Sequence, residues 1–405
     1  MTRESAGSRV SREQATATVW DVAVIGAGPA GAVAALELST RGYSVLLLER
    51  LELPRDKVCG DGLLADSLRV LQRIGLLQEI RSLAYTCRRL RVYSPRRIAF
   101  ELGGDFLALK RATLDARLAG EAVARGARLC IAEAIGVGTD QQGTAWVTLR
   151  DVPRPVRARV AVVATGARTT LLRDSGMLLR PRASAIALRC YLGSPAALDE
   201  WVVSFDRSIV PGYGWIFPVA AGEYNIGCGV FYDDRDRPAT NLRRLFESFL
   251  EQFPPARRLR TAGCSLGPLE GAQLRCGLDG ASFHDGGQVV AAGEAVGSTL
   301  HLTGEGIGKA METGELAAAA IDEALSTGDP GRLGDYPNRV VGGLSRIYRG
   351  FRTAQGWISR GWVADLTAAR LAGSRRLRGR LEGVLDETVA PEELLSPRGL
   401  VAWRR

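Results

Sequence analysis

Histidine is almost missing from this chain of 405 residues, and His284 and His301 alone make a histidine-built metal centre a poor expectation. Lysine is nearly as scarce: beyond Lys57, Lys110 and Lys309, the net charge of +9 rests on arginine. The seven cysteines are scattered, odd in number and never spaced C-x-x-C, so neither a zinc site nor a disulfide framework is expected, and a reducing cytoplasm is. No run of about eighteen apolar residues occurs, so no membrane-spanning helix is expected. Residues 1–18 are polar without an apolar core, which argues against a signal peptide and for a disordered arm. Aromatic and basic residues are not interleaved on strand-like runs, so no nucleic-acid partner is expected. With 46% hydrophobic residues, the chain has material for two or three domains.

What is present is a glycine turn in a telling context. Trp20 to Ile25 is mostly apolar, Gly26-Ala-Gly28-Pro-Ala30-Gly31 follows, and Ala32 to Arg41 reads as a helix stopped by Gly42. A second apolar run, Ser44 to Leu48, delivers Glu49. Strand, glycine turn, helix, strand and acid are the context a dinucleotide fingerprint requires. Gly26 permits the tight turn, Gly28 lets backbone N–H groups approach a pyrophosphate, and Gly31 lets helix lie on strand. Glu49 is placed to accept hydrogen bonds from adenosine ribose hydroxyls, and its charge disfavours the 2′-phosphate of NADP.

Pro54 to Gly62 reads as a loop overhanging such a site. Cys59 in it, flanked by Lys57 and Asp61, fits either a proton donor or thiolate or an ordinary small residue. Gly60 and Gly62 suggest backbone close to a flat ligand. A helix or helix pair is expected over Ala65 to Ile80, a hairpin over Leu90 to Glu101, and a helix from Arg111 to Gly126. Strands follow at Leu129–Ala132, Trp146–Leu149 and Ala158–Ala164.

From Ala185 to Val230 strands succeed one another, which predicts a second, sheet-rich domain. Tyr213, Trp215 and Phe217 alternate along one strand and face one side, either as half of a packed core or as a wall for an apolar substrate. Pro218 closing the strand, with Gly227 and Gly229 opposite, fits close approach of a ligand. Asn241 caps a helix that Pro254-Pro255 ends. Further on, Gly293-Glu294-Ala295 ends a strand, and Leu302-Thr-Gly304-Glu-Gly306-Ile307 opens a helix whose N-terminus suits an anion. Residues 340–382 carry one apolar stripe, Leu344, Ile347, Phe351, Ala354, Ile358, Trp362 and Leu366, among many arginines. That pattern fits either a helix packed on its own protein or a helix at a membrane interface.

Together these segments resemble the geranylgeranyl reductase family of FAD-dependent oxidoreductases, within the aromatic-hydroxylase-like flavoproteins. The resemblance spans roughly residues 20–325. It rests most specifically on Tyr213-x-Trp215-x-Phe217-Pro218 with Gly227-x-Gly229, and on Lys57-Val-Cys59-Gly60. It implies an α/β (α+β) fold: a Rossmann-like FAD-binding domain over 19–184 and 256–330, an inserted antiparallel substrate sheet over 185–255, and a C-terminal helical region over 331–405. It implies FAD held by Gly26, Gly28, Ala30, Gly31, Glu49, Cys59, Gly60, Gly62, Arg111, Glu294, Gly304, Gly306 and Ile307. Tyr213, Trp215, Phe217, Pro218, Gly227 and Gly229 would form the substrate cavity, and Cys59 would serve as proton donor or gate. The implied reaction adds hydride from the reduced flavin to one carbon of an isolated isoprenoid C=C bond and a proton to the other.

The sequence departs from that group's pattern in three places. Glu294 stands where Asp is usual, His301 stands in a stretch lacking Asn-Pro and becomes a candidate flavin neighbour, and Ala164-Thr-Gly-Ala167 replaces an Asp-Gly pair of related hydroxylases. No second GxGxxG appears, so electrons are expected from NAD(P)H docking transiently or from a redox partner protein. A cytoplasmic monomer with an apolar small-molecule or lipid substrate, touching the membrane only peripherally, completes the expectation. Two rivals are a monooxygenase or dehydrogenase of a small specialised metabolite and a flavoprotein passing electrons to a quinone. No tryptophan-x-tryptophan-x-isoleucine-proline run supports halogenation.

Overall fold

The computed structural model describes residues 9–232 and 240–391. The strand Val19–Ile25 pairs in parallel with Val45–Glu49 on one side and Val156–Val163 on the other. Around this centre the first sheet adds Arg128–Ile131 beyond Val45–Glu49, Ala145–Leu149 and Ala134–Thr139 beyond Val156–Val163, and Val289–Ala291 beside Val156–Val163. Its central strands are apolar on both faces because helices cover both. The helix Pro29–Thr40 is laid against the sheet and against Ile307–Thr327, and small residues make that contact: a Cβ on Gly314 would meet the Ala30 carbonyl at 2.3 Å.

The second sheet is antiparallel except where Trp201–Ser204 joins Tyr85–Tyr93 in parallel. It is wider than residues 185–255. The hairpin Tyr85–Tyr93 and Ala99–Ala108, the short strand Gly62–Leu63, and Glu270–Leu274 all belong to it. Alternation along 90–101 marks a hairpin but carries no information about which sheet accepts its edge.

Three further expectations change. Part of the N-terminal arm is ordered: Ser11 and Gln14 form a capping box on the helix Arg12–Ala17, and the Val10 amide donates to the Leu129 carbonyl at 3.0 Å. Residues 1–8 lie outside the described residues. Pro254-Pro255 ends one helix but opens another, Pro254–Thr261, because proline lacking an N–H is tolerated in a first turn. The C-terminal stripe is broken at Ser359-Arg360 into Tyr336–Ile358 and Gly361–Gly373, followed by Arg375–Leu385. Leu344, Phe351 and Ala354 point into the protein while Trp362 and Leu366 stand out from it. Among the described residues no helix is long and apolar enough to cross a membrane.

Candidate active site

One cavity of about 740 Å³ runs from the glycine turn, between the two sheets, to the C-terminal helices. Gly26, Gly28, Ala30, Glu49, Cys59, Gly60, Gly62, Arg111, Glu294, Gly304, Gly306 and Ile307 line it, as do Tyr213, Trp215 and Phe217. Gly31, Pro218, Gly227, Gly229 and His301 are not among its walls. Gly26 has φ +107°, and a Cβ there would press on the Ala164 carbonyl at 2.4 Å; one on Gly31 would sit 1.9 Å from the Gly26 carbonyl. Gly31 therefore closes the turn instead of facing the cavity.

The acid at the end of the second strand is held before any ligand arrives. Glu49 Oε2 accepts from the Ala27 amide at 3.1 Å and Arg55 Nη2 at 3.0 Å, and Oε1 from the amides of Arg50 and Leu51. Arg55 also donates to Asp115, which Arg111 grips with two hydrogen bonds of 2.7 and 2.8 Å. Asp115 is fully buried, so the two guanidinium groups are what make its charge tolerable there. With each Glu49 oxygen already taking two donors, a ribose hydroxyl must share with them or displace Arg55.

The cysteine loop is tied to the second sheet by a buried polar cluster. Asn225 Nδ2 donates to the Cys59 carbonyl and to Asp61 Oδ2, each at 2.8 Å, and Tyr191 donates to the same Asp61 oxygen at 2.7 Å. The Arg111 amide meets Asp61 Oδ1 at 3.2 Å, so the loop also reaches the start of the helix Arg111–Ala124. Asp61 adopts a left-handed φ of +62°, uncommon for a side chain and supported here by its three partners, Asn225, Tyr191 and the Arg111 amide. Burial raises the Asp61 carboxyl, against the lowering effect of Tyr191 and Asn225. Burial likewise pushes the Cys59 thiol up, with Arg111 opposing. At neutral pH Cys59 is therefore a thiol and not a thiolate.

The three alternating aromatics form a wall extended by Trp201, which stacks on Phe217 at 4.1 Å, and by Phe231, which stacks on Tyr213 at 5.6 Å. Gly227 and Gly229 make room for the wall itself. A Cβ on Gly227 would lie 2.2 Å from the Trp215 ring, and one on Gly229 3.2 Å from the Tyr213 ring. The space expected to admit a ligand beside these glycines is thus filled by the neighbouring strand's rings. Gly304, at φ +68°, lies against the Tyr213 hydroxyl, which brings the wall to the second glycine stretch.

On that side Lys57 Nζ stands 3.9 Å from Glu294, whose other oxygen accepts from the Arg275 amide at 3.3 Å. The expected anion-ready helix start is partly occupied by the protein's own carboxylate: a Cβ on Gly308 would collide with the Asp66 carboxyl carbon at 2.1 Å. Asp66 leads into a buried cluster around Lys309, which pairs with Glu312 at 2.7 Å and Glu387 at 2.5 Å. Burial raises Glu312 to about 7 in spite of Lys309, and raises Glu305, beside Asp66, well above the ordinary carboxylate range. His301 lies away from the cavity, its ring 6.3 Å from that of Phe231.

Sequence reasoning missed Arg55, Asn225, Tyr191 and Arg189, and it quoted Asp115 only as part of the Arg111 motif. Arg189 is almost fully buried in the strand Ala185–Gly193, bonded to Asp56 and Glu270 with its guanidinium over the Tyr191 ring. The available signal was a single polar residue inside an apolar strand: Arg189 in one, Asn225 in Glu223–Phe231.

The residues at the glycine end fit a dinucleotide flavin: a backbone turn without side chains, an anchored acid, and two arginines around it. Residues 19–187 match the model of an FAD binding domain. The chain is 31% identical over 360 residues to a menaquinone reductase of Mycolicibacterium smegmatis, covering 83% of each chain. It is 29% identical over 327 residues to digeranylgeranylglycerophospholipid reductase 2 of Methanopyrus kandleri, covering 76% of this chain and 78% of that one. In fold it is similar to a geranylgeranyl bacteriochlorophyll reductase-like protein of Thermoplasma acidophilum, with a TM-score of 0.75, 21% identity and 95% of each chain covered. With FAD as its cofactor, the chain belongs to the geranylgeranyl reductase family of FAD-dependent oxidoreductases.

Proposed function

We propose that this enzyme saturates C=C bonds of an isoprenoid chain carried by a lipid or prenylated quinone. The observation supporting this is the continuity of the cavity. From Cys59 it passes Tyr213, Trp215, Phe217 and Trp201 and ends among Leu371, Leu381 and Val384 of the C-terminal helices. Such a chamber desolvates a long hydrocarbon while offering it few polar partners. The substrates named in the two relatives share an isoprenoid chain and little else.

In this reading Gly26, Gly28 and Ala30 hold the pyrophosphate, Glu49 with Arg55 and Arg111 the adenosine end, and Glu294 the ribityl chain. Bound there in its reduced form, FAD would supply the hydride for one alkene carbon. The aromatic wall presses the chain toward the cofactor and excludes water. Cys59, kept protonated by burial, donates the proton to the other carbon, and Asn225 fixes the loop that carries it. NAD(P)H or a redox partner protein delivers the electrons.

A second reading, reduction of a quinone ring, is favoured by the name of the mycobacterial relative. Anaerobic incubation of reduced protein with geranylgeranyl diphosphate, a prenylated naphthoquinone and chain-free menadione separates the two. A mass gain of two hydrogens per bond in the prenyl chain is the expected result. Quinol formation from menadione with an unchanged prenyl chain favours the second reading, and turnover that needs oxygen would sink both.

A further inference from the structure

A second cleft adjoins the chamber. A cleft of about 620 Å³ shares Phe205, Tyr213 and Ile358 with it and opens between the loop at Val210-Pro211 and the helix Gly361–Gly373. Its rim is apolar where a water-facing rim is normally polar. Trp362 is 69% exposed, Val210 53% and Leu366 52%, so three of the ten exposed large apolar side chains among the described residues gather at this one opening. They come from two segments far apart in sequence, which makes the patch a product of the fold and not of one amphipathic helix.

The charge around the rim is predominantly positive. Arg96 and Arg207 line the cleft, Arg360 precedes the helix, and all three are exposed. Asp365, the acid among the lining residues, accepts from the Ser94 hydroxyl at 2.6 Å and the Arg96 amide at 2.9 Å and stands 3.6 Å from the Arg96 guanidinium, so it offsets one of the three arginines and leaves the rim with an excess of positive charge. An aromatic and aliphatic tip ringed by arginine matches the boundary of an anionic bilayer, where rings and alkyl groups enter the acyl layer and guanidinium groups meet phosphate.

We propose that this rim docks on an anionic lipid surface and that the cleft is the portal through which an isoprenoid lipid passes from bilayer to chamber. The proposal rests on the isoprenoid reading for its substrate, but the docking face stands on exposure and charge alone. It explains why the stripe of the C-terminal region breaks at Ser359-Arg360: the bend turns Trp362 and Leu366 outward while Phe351 and Ala354 keep facing the chamber.

The test is co-sedimentation of the full-length FAD-loaded protein with vesicles of phosphatidylcholine alone and mixed with phosphatidylglycerol. Preferential binding to the mixed vesicles, weakened by salt, is expected. The double variant Trp362→Ser, Leu366→Ser should lower binding by about tenfold or more while keeping its flavin content, its circular dichroism and its turnover of a short-chain, water-dispersible prenyl substrate. Absence of binding by the parent protein, or equal binding by the variant, overturns the proposal. So does finding that the patch joins two copies of the chain, seen as a dimer that the same variant dissolves. Vesicle binding without any C=C reduction would sink the isoprenoid reading and leave the docking face in place.

Discussion

The indole N–H of Trp215 donates to Asn225 Oδ1 at 2.9 Å, and this sets the amide so that its Nδ2 faces the Cys59 carbonyl and Asp61. A residue of the aromatic wall thereby fixes the loop that carries the thiol. The two strands bring this about by register: Phe217 pairs with Asn225 and Trp215 with Gly227, so the Trp215 ring lies over the missing side chain of Gly227 and its N–H reaches back to Asn225.

Asn225→Leu removes that bridge and leaves the Trp215 N–H and an Asp61 oxygen short of a buried partner. A loss of about 2–4 kcal/mol is expected, measured by urea unfolding of the flavin-loaded protein. Alkene reduction should fall further than flavin content does. Unchanged stability would show that the cluster is compensated elsewhere.

Glycine substitutions opposite the wall should rank by the space each Cβ meets. Gly227→Ala drives a methyl into both the Trp215 ring at 2.2 Å and the Leu188 carbonyl at 2.5 Å, whereas Gly229→Ala meets the Tyr213 ring at 3.2 Å. Gly227→Ala should cost about 2–3 kcal/mol and Gly229→Ala under about 1 kcal/mol, read as the difference in unfolding midpoints. The reverse order would contradict the packing.

Cys59→Ala tests the proton assignment. Turnover is expected to drop by roughly 10²–10⁴ while the flavin spectrum stays that of the parent. Because burial keeps the thiol protonated, alkylation of Cys59 by iodoacetamide should be slow at neutral pH and quicken only in alkaline solution. Unaltered turnover in Cys59→Ala would reduce the residue to a structural one.

Stability should depend on pH through the cluster around Lys309. Glu312 titrates at about 7 in the folded protein, above its ordinary value of 4.5, because burial outweighs the attraction of Lys309. Between those values the folded state binds more protons than the unfolded one, so this group makes stability fall as pH rises from about 4.5 to about 7. Glu312→Gln should match the parent near pH 5 and exceed it by roughly 1–3 kcal/mol near pH 8, seen as thermal midpoints that diverge across that range. A constant offset at all pH values would refute the assignment.

The glycine turn, the acid at Glu49, the aromatic alternation and the helix opening at Ile307 were legible because each depends on local backbone geometry. A φ of +107° at Gly26 or alternation along Tyr213–Ala220 leaves its mark on consecutive residues. Family resemblance then joined these pieces into a flavoenzyme. Arg55, Asn225 and Arg189 were not legible in the same way, since their partners lie in other elements and a sequence does not show which distant chains meet. The glycines at 227 and 229 are visible in the sequence, but what fills the space beside them is not, because only cross-strand register brings their own protein's rings there.

The strand–turn–helix that opens the chain, the flavin class and the apolar character of the wall follow from residue order, since steric limits and alternation act within a few residues. The fold alone decided how far the chamber extends, which polar groups brace the cysteine loop, and that Trp362 and Leu366 leave the stripe containing Phe351 to stand at a portal. Those outcomes depend on contacts between segments tens to hundreds of residues apart, and a bend of one or two residues at Ser359-Arg360 redirects every side chain beyond it.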